Sequence, residues 1–183
     1  MEIRSRVLPR AFGSYSISGK KINIADIEDV CVATNTLSYE DYLECRQMHL
    51  IITIFFNDVV FETVLKALQS QELSVFRWLE LILDATYDSS AADLFKDFRN
   101  HTDSELWKNK TDLKAHIQNT GVIEKYTSGE TGFNLLYTFK ALAFTEYLDS
   151  IIEVVNTSIN RLLKESGRDD DPELVEFFKS AIC

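Results

Sequence analysis

Apolar positions recur at three- and four-residue spacing along most of the chain, which predicts helices that pack against one another. The first such pattern begins at Ser38, whose hydroxyl can accept a backbone N–H bond from the first helical turn. Glu40 and Asp41 follow at the positive end of the helix dipole. The pattern continues through Leu50 to Phe56 and includes the most apolar stretch of the sequence. We therefore expect a central, deeply buried helix here.

The remaining periodic patterns predict a series of further helices. Those after the central helix are strongly apolar, whereas those between residues 91 and 118 have a narrower apolar stripe and are typical of an outer layer. The predicted elements are a helix over 59–70, a helix that begins near Ser74 and ends before Asp84, two helices over 91–118 with a break near 100–103, a turn-rich connector over 121–132, one long helix over 133–164 and a short helix that starts at Pro172.

The first thirty-six residues differ from the rest, because apolar positions are sparse and β-branched residues are concentrated in two short runs. These runs, Ile22–Ile24 and Val30–Ala33, predict one or two short strands. Residues 30–34 alternate poorly, so this strand is either buried on both faces or paired with something outside the chain. We expect a mostly α fold, a multi-helix bundle (37–183) with an N-terminal arm (1–36) that contains one or two short β-strands.

Length and charge narrow the class of protein. A chain of 183 residues with 45% hydrophobic and 26% charged residues has the composition of one ordinary globular domain. Acidic residues outnumber basic ones 29 to 19, and a net charge of −10 repels phosphate backbones and anionic lipid. The most apolar stretch, Leu50–Phe56, is far shorter than the roughly 20 residues of a membrane span. We expect neither nucleic acid nor a membrane as a partner.

The three cysteines, Cys31, Cys45 and Cys183, have none of the spacings of metal or redox motifs and predict no disulfide framework. The N-terminus also lacks the basic and apolar regions of a secretory signal. We therefore expect a cytoplasmic location.

Candidate chemistry is sparse. Cys45 and His49 are four residues apart on one predicted helix, but a metal site would need further ligands such as Asp41, His101 or His116, which no spacing requires. The simpler interpretation is that Cys45 packs as a small apolar residue. The sequence has no nucleophile elbow and no phosphate-binding loop. We assign no catalytic, cofactor-binding or metal-binding residue.

A polar stripe on the central helix is the one candidate interaction site. It contains Tyr42, Arg46 and His49, and a guanidinium on a mostly buried helix requires a partner. The simpler partner is an acid such as Asp41, Glu44 or one on a neighbouring helix. The alternative is that the stripe meets a partner domain or a small ligand.

Two segments, Arg4–Pro9 and Ile27–Arg46, resemble the region immediately after the catalytic barrel in cobalamin-binding radical S-adenosylmethionine proteins. The resemblance covers about residues 4 to 85. In that family, three cysteines at C-x-x-x-C-x-x-C spacing hold an iron-sulfur cluster that reduces S-adenosylmethionine to a radical, and cobalamin binds in a preceding domain. This chain has neither the cysteine spacing nor a glycine-rich cobalamin-binding element.

The resemblance implies a non-catalytic accessory helical domain of such an Fe-S oxidoreductase, which packs against the catalytic barrel in cis or in trans. The iron-sulfur cluster, S-adenosylmethionine and cobalamin would then belong to the parent or partner polypeptide. The alternative is a free-standing helical adaptor that binds another protein or itself through exposed apolar residues around Phe61, Phe76 and Trp78. A small enzyme or ligand-binding bundle ranks last, because the sequence shows no convergent polar groups.

Overall fold

The computed structural model describes residues 2–128, 130–132 and 134–182. The chain is mostly helical and begins with a two-stranded antiparallel sheet, which confirms the expected fold class. Gly129, Phe133 and Cys183, which entered the predictions above, lie outside the described residues.

The strands are β1 (Ile3–Ile17) and β2 (Lys20–Thr34). The helices are α1 (Tyr39–Ile51), α2 (Glu62–Ser70), α3 (Val75–Thr86), α4 (Ala92–Ser104), α5 (Lys110–Ile117), α6 (Val122–Thr127), α7 (Leu135–Thr145), α8 (Leu148–Glu165) and α9 (Pro172–Ile182). A π-helical turn, Ile52–Phe56, extends α1. At the end of this turn, the backbone N–H group of Asn57 donates to the carbonyl of Ile52. None of the helices in the described ranges has the length and apolar character needed to cross a membrane.

The chain forms two compact units. The arm unit contains residues 1–44 and 100–135, and the helical unit contains residues 45–99 and 136–183. This division differs from the predicted boundary at residue 36, because residues 100–135 group with the arm. Contacts between residues so distant in sequence leave no local signal.

The arm is a hairpin with much longer strands than the sequence predicts. β1 and β2 each have 15 residues, and Ile3 pairs with Thr34 at one end while Ile17 pairs with Lys20 at the other. Residues 30–34 pair with β1 along one edge, and pairing of the other edge outside the chain stays a prediction. The alternation is weak here because the consecutive residues Val32 and Ala33 are both buried, which agrees with the first alternative at these two positions.

Three helix predictions are corrected. α4 continues through residues 100–103, where no glycine or proline interrupts it, and the predicted connector contains α6. The long helix over 133–164 is two helices, since the backbone N–H groups of Glu146 and Tyr147 both donate to the carbonyl of Leu142 and end α7. The predicted starts at Ser38, Ser74 and Pro172 are confirmed.

The core of the helical unit lies between α3 and α8. The Trp78 indole is fully buried and its Nε1–H group donates to the Ser158 hydroxyl at 2.9 Å. Phe55, from the π-helical turn, approaches Trp78 edge to face with ring centroids 6.2 Å apart. A buried indole N–H group needs such a partner, so this pair fixes how the two helices pack.

Leu50 offers a test of the predicted central helix, because its side chain is fully buried. We expect Leu50→Ala to lower the free energy of unfolding by about 2 to 5 kcal/mol, measured by urea denaturation. Lys96→Ala, on the exposed side of α4, is the matched control and should change it by less than about 0.5 kcal/mol. A loss for Leu50→Ala as small as that of the control would show that the site is not in the core.

Candidate functional site

The arm ends in a tight turn that fixes its geometry. Ser18 and Gly19 join the strands, and their φ angles are 51° and 78°. A two-residue loop with both φ values positive is a type I′ turn, whose twist matches that of a hairpin. Ile17 and Lys20, the residues on either side, therefore form a hydrogen-bonded pair, and every second pair after them does the same.

One face of the distal hairpin is apolar and open. The register pairs Tyr15 with Ile22 and Gly13 with Ile24, and residues paired in this way share a face. Tyr15, Ile17, Ile22 and Ile24 together form what we call the apolar arm face, with exposed fractions of 57%, 58%, 41% and 50%. Exposed apolar residues that are contiguous, rather than scattered singly, mark interaction sites.

The ring of Tyr15 is held close to the strand. A Cβ atom built on Gly13 would lie 2.9 Å from Cε2 of Tyr15, so the ring covers the bare backbone of this glycine. An aromatic ring over a strand glycine replaces the packing that the missing side chain cannot give. The apolar arm face therefore has a defined shape.

The opposite face and the outer edge of β1 are anchored within the arm unit. Phe12, on that face, stacks on Tyr126 of α6 with ring centroids 3.9 Å apart. Val7 and Trp107 exchange two backbone hydrogen bonds of 2.9 and 2.8 Å. These contacts hold the ribbon from one side and leave the apolar arm face uncovered by α6.

The arm tip is basic in an acidic chain. Residues 10–25 include three basic residues and no acidic one, whereas the whole chain has a net charge of −10. Arg10 pairs with Glu28, and this hydrogen bond raises the pKa of the guanidinium. Lys20 has no ion pair among the residues that the structure describes. The apolar arm face thus has a positive charge at its turn end, from Lys20, and a negative charge at its other end, from Asp26.

Arg6 organises the base of the arm. Its guanidinium lies over the Tyr39 ring at 4.3 Å, donates to the carbonyl of Leu106 at 3.3 Å and is 3.7 Å from the Asp103 carboxylate. The Tyr39 hydroxyl donates to Asp103 at 2.5 Å. Burial, and then this hydrogen bond, raise the pKa of Tyr39 above its usual range. The tyrosine therefore stays protonated and acts as a donor.

An open cleft of about 680 Å³ lies beside this cluster and is lined by Arg4, Arg6, the end of β2, residues 35–39 and Asp41. The start of α1 in this cleft is closed by a capping box: Asp41 accepts from the Ser38 backbone at 2.8 Å, and the Ser38 hydroxyl accepts from the Asp41 backbone at 3.1 Å. These hydrogen bonds lower the pKa of Asp41. No buried polar atom without a partner lines the cleft in the described part of the chain.

The three predicted interaction residues occupy different surroundings. Tyr42 is half-buried in the arm unit, with its ring stacked on that of Tyr39 at 6.1 Å. In the helical unit, Nη1 of Arg46 lies 3.3 Å from Nδ1 of His49, and the guanidinium is 6.0 Å from the centre of the Phe98 ring. Partial burial, with the charge of Arg46, lowers the pKa of His49. That these residues meet a partner or ligand stays a prediction.

The expectation of an exposed surface around Phe61, Phe76 and Trp78 is wrong for two of the three. Phe61 and Trp78 are buried, since Phe61 stacks on Phe55 and Trp78 bonds to Ser158. Phe76 is exposed. Phe76 and Trp78 are two residues apart in α3, about 200° around the helix axis, so one faces the surface and the other the core.

The cysteine predictions are corrected in one respect. Cys31 and Cys45 are free thiols, and both are exposed, so Cys45 does not pack as a buried apolar residue. Over the described ranges, no group of three or more histidine, cysteine, aspartate or glutamate residues is arranged to hold a metal ion.

Comparison of the chain with known protein families, curated proteins and solved structures gives no match.

The apolar arm face is the feature that the sequence analysis missed. Its signal is the dipeptide Ser18-Gly19 between two runs that alternate apolar and polar residues, Tyr15–Ile17 and Ile22–Ile24. Such a dipeptide between alternating runs is typical of a tight hairpin. The alternation extends over too few residues on each side to stand out against the polar background.

Arg6 and Arg4 provide a matched pair of substitutions at the base of the arm. The Arg6 side chain is 26% exposed and makes the contacts described above, whereas the Arg4 side chain is 75% exposed and only pairs loosely with Glu2. We expect Arg6→Ala to lower the free energy of unfolding by about 1 to 3 kcal/mol in chemical denaturation. Arg4→Ala should cost less than about 0.5 kcal/mol. Equal losses for the two variants would contradict the assigned role of Arg6.

Proposed function

We propose that this chain is a non-catalytic docking module that binds a partner protein through the apolar arm face. The observation that carries the proposal is the ordered, open face formed by Tyr15, Ile17, Ile22 and Ile24. Association would remove this apolar surface from water, which is the main favourable term in protein binding.

The chemistry of the face favours a protein as the partner. Tyrosine contributes a large, stiff contact area and is enriched among the residues that dominate binding energies. Lys20, at the turn end of the face, adds electrostatic selection for a partner with an acidic group near that end. A nucleic acid would be repelled by the net charge of −10.

For the partner we propose the catalytic barrel of a radical S-adenosylmethionine enzyme, joined in cis or in trans. This choice is supported by the location of the residues that carry the resemblance. Those residues, Arg4–Pro9 and Ile27–Arg46, form the part of the hairpin nearest α1 and the first part of α1 itself. In this proposal the iron-sulfur cluster, S-adenosylmethionine and cobalamin belong to the barrel protein, and the complex works in the cytoplasm.

A free-standing adaptor is the second candidate, and the same open face favours it. An adaptor would bind, through the apolar arm face, a protein that carries none of the cofactors of a radical enzyme. The two candidates therefore share a docking surface and differ in the identity of the bound protein.

Site-specific photocross-linking in the native host tests the docking surface. A photoreactive residue at Ile22 on the apolar arm face is compared with one at Ser16, which lies on the opposite face of the hairpin. We expect a discrete cross-linked protein from position 22 and little or none from position 16. Adding Tyr15→Ser to the position-22 protein should reduce this adduct at least severalfold.

Sequencing the cross-linked protein separates the candidates. A protein with the C-x-x-x-C-x-x-C motif supports the radical-enzyme barrel, and another single protein supports an adaptor. Equal cross-linking from positions 22 and 16, or adducts only between copies of this chain, would contradict docking through the apolar arm face.

A further inference from the structure

The outer edge of β2 is long, regular and open. β1 has a register shift between Pro9 and Ala11, and Trp107 pairs with its outer edge at Val7. Over residues 20–31, by contrast, β2 is not interrupted by a proline, and β1 is its one strand neighbour among the described residues. An exposed edge of this length is a template for another strand.

The turn determines which backbone groups face that edge. Because Lys20 is hydrogen-bonded to Ile17, the N–H groups of Lys20, Ile22 and Ile24 point toward β1. Those of the alternating positions, including Ala25 and Ile27, point outward. No backbone group in the described residues bonds to these two outward N–H groups.

The charge pattern of β2 is complementary to itself when the strand is reversed. Lys20 lies at its start, whereas Asp26, Glu28 and Asp29 lie in its second half. An antiparallel copy of the strand therefore brings the basic start of each chain against the acidic half of the other. Opposite charges directly across paired strands stabilise a sheet, and like charges there destabilise it.

We propose that β2 pairs with β2 of a second copy of this chain, in antiparallel orientation and centred on Ile24. The two hairpins then form one four-stranded sheet related by a twofold axis. In this register Ile24 lies opposite its own copy, and Lys20 lies opposite Glu28 of the partner copy.

The geometry of the edge selects this register. In an antiparallel ladder, residues whose N–H groups face the shared edge must lie opposite each other. The twofold axis of the dimer must therefore lie between one residue and its own copy, and not level with the midpoint between two successive residues of the strand. Centring on Ile24 places one isoleucine, Ile22, opposite an acid, Asp26, whereas centring on Ala25 would place both isoleucines opposite acids. Centring on Asp26 would place that carboxylate opposite its own copy. Centring on Asn23 would pair Lys20 with Asp26 but end the paired segment at Asp26, so Ile24 is the centre that pairs Lys20 with an acid over the longer segment, residues 20–28.

This dimer goes beyond the proposed function, because it uses the edge of β2 and not the apolar arm face. Residues directly opposite each other share a face, so the apolar arm faces of both copies lie on the same side of the joint sheet. Dimer formation would double the docking surface, whereas either interaction can fail without the other.

Sedimentation velocity from low to high micromolar concentration tests the dimer with the purified chain. We expect a reversible monomer–dimer equilibrium for the unmodified protein. Ala25→Pro removes an outward N–H group without touching a bond to β1, and should leave a monomer at every concentration. Ala25→Ser keeps the N–H group and should dimerise normally. Far-UV circular dichroism verifies that both variants are folded.

Charge reversal tests the register independently of proline. Lys20→Glu should weaken the dimer by roughly tenfold, because two attractive pairs per dimer become repulsive. Adding Glu28→Lys to this variant should restore the affinity. Arg10→Ala breaks the internal pair of Glu28 and should leave the dimer intact, which separates the cross-strand effect from the internal one.

A protein that stays monomeric over the whole concentration range would overturn the proposal. So would a dimer that Ala25→Pro leaves unchanged, or a double charge reversal that dimerises no better than Lys20→Glu alone. The cross-linking from position 22 to a partner protein is read separately, so failure of the dimer and failure of docking are distinguishable.

Discussion

A two-stranded ribbon is only marginally stable by itself in water, and this constraint shapes the arm unit. The hairpin gains its stability by packing one face and one edge against residues 105–126, through the Phe12–Tyr126 stack and the Val7–Trp107 backbone pair. Since a ribbon has two faces, anchoring one leaves the other open. The apolar arm face is therefore a direct consequence of how the hairpin is held, and apart from the cover that the Tyr15 ring gives to Gly13, no other element in the described part of the chain packs on its tyrosine and isoleucines.

In the helical unit, a buried polar pair completes an otherwise apolar core between α3 and α8. The indole N–H group of Trp78 donates to the Ser158 hydroxyl, which in turn donates to the carbonyl of Val155. At the surface of the helical unit, Arg77 of α3 forms a bidentate ion pair with Glu165 of α8. This ion pair raises the pKa of the arginine and lowers that of the glutamate. Such exposed pairs add little stability, so the packing of apolar side chains holds this unit together.

Local signals in the sequence predict the features that depend on few neighbouring residues. Ser38, Ser74 and Pro172 mark helix starts correctly, because capping and the fixed φ of proline act within one turn. Features that depend on distant partners are not predicted: the pairing of residues 30–34 with β1, the bridge to Trp107 and the burial of Phe61 follow from tertiary contacts. The Arg46–His49 contact lies between these cases, since three-residue spacing places the two side chains together but does not show what else they meet.

The arm is a preformed hairpin whose β2 strand is bonded to β1 along one edge and open along the other. Amide hydrogen exchange at low protein concentration, resolved residue by residue, distinguishes the bonded edge from the open one. We expect alternating protection along β2, with slow exchange at Ile22 and Ile24, which bond to β1, and fast exchange at Ala25 and Ile27, which face the open edge. Uniformly fast exchange over residues 20–27, or equal protection of inward and outward amides, would contradict the account.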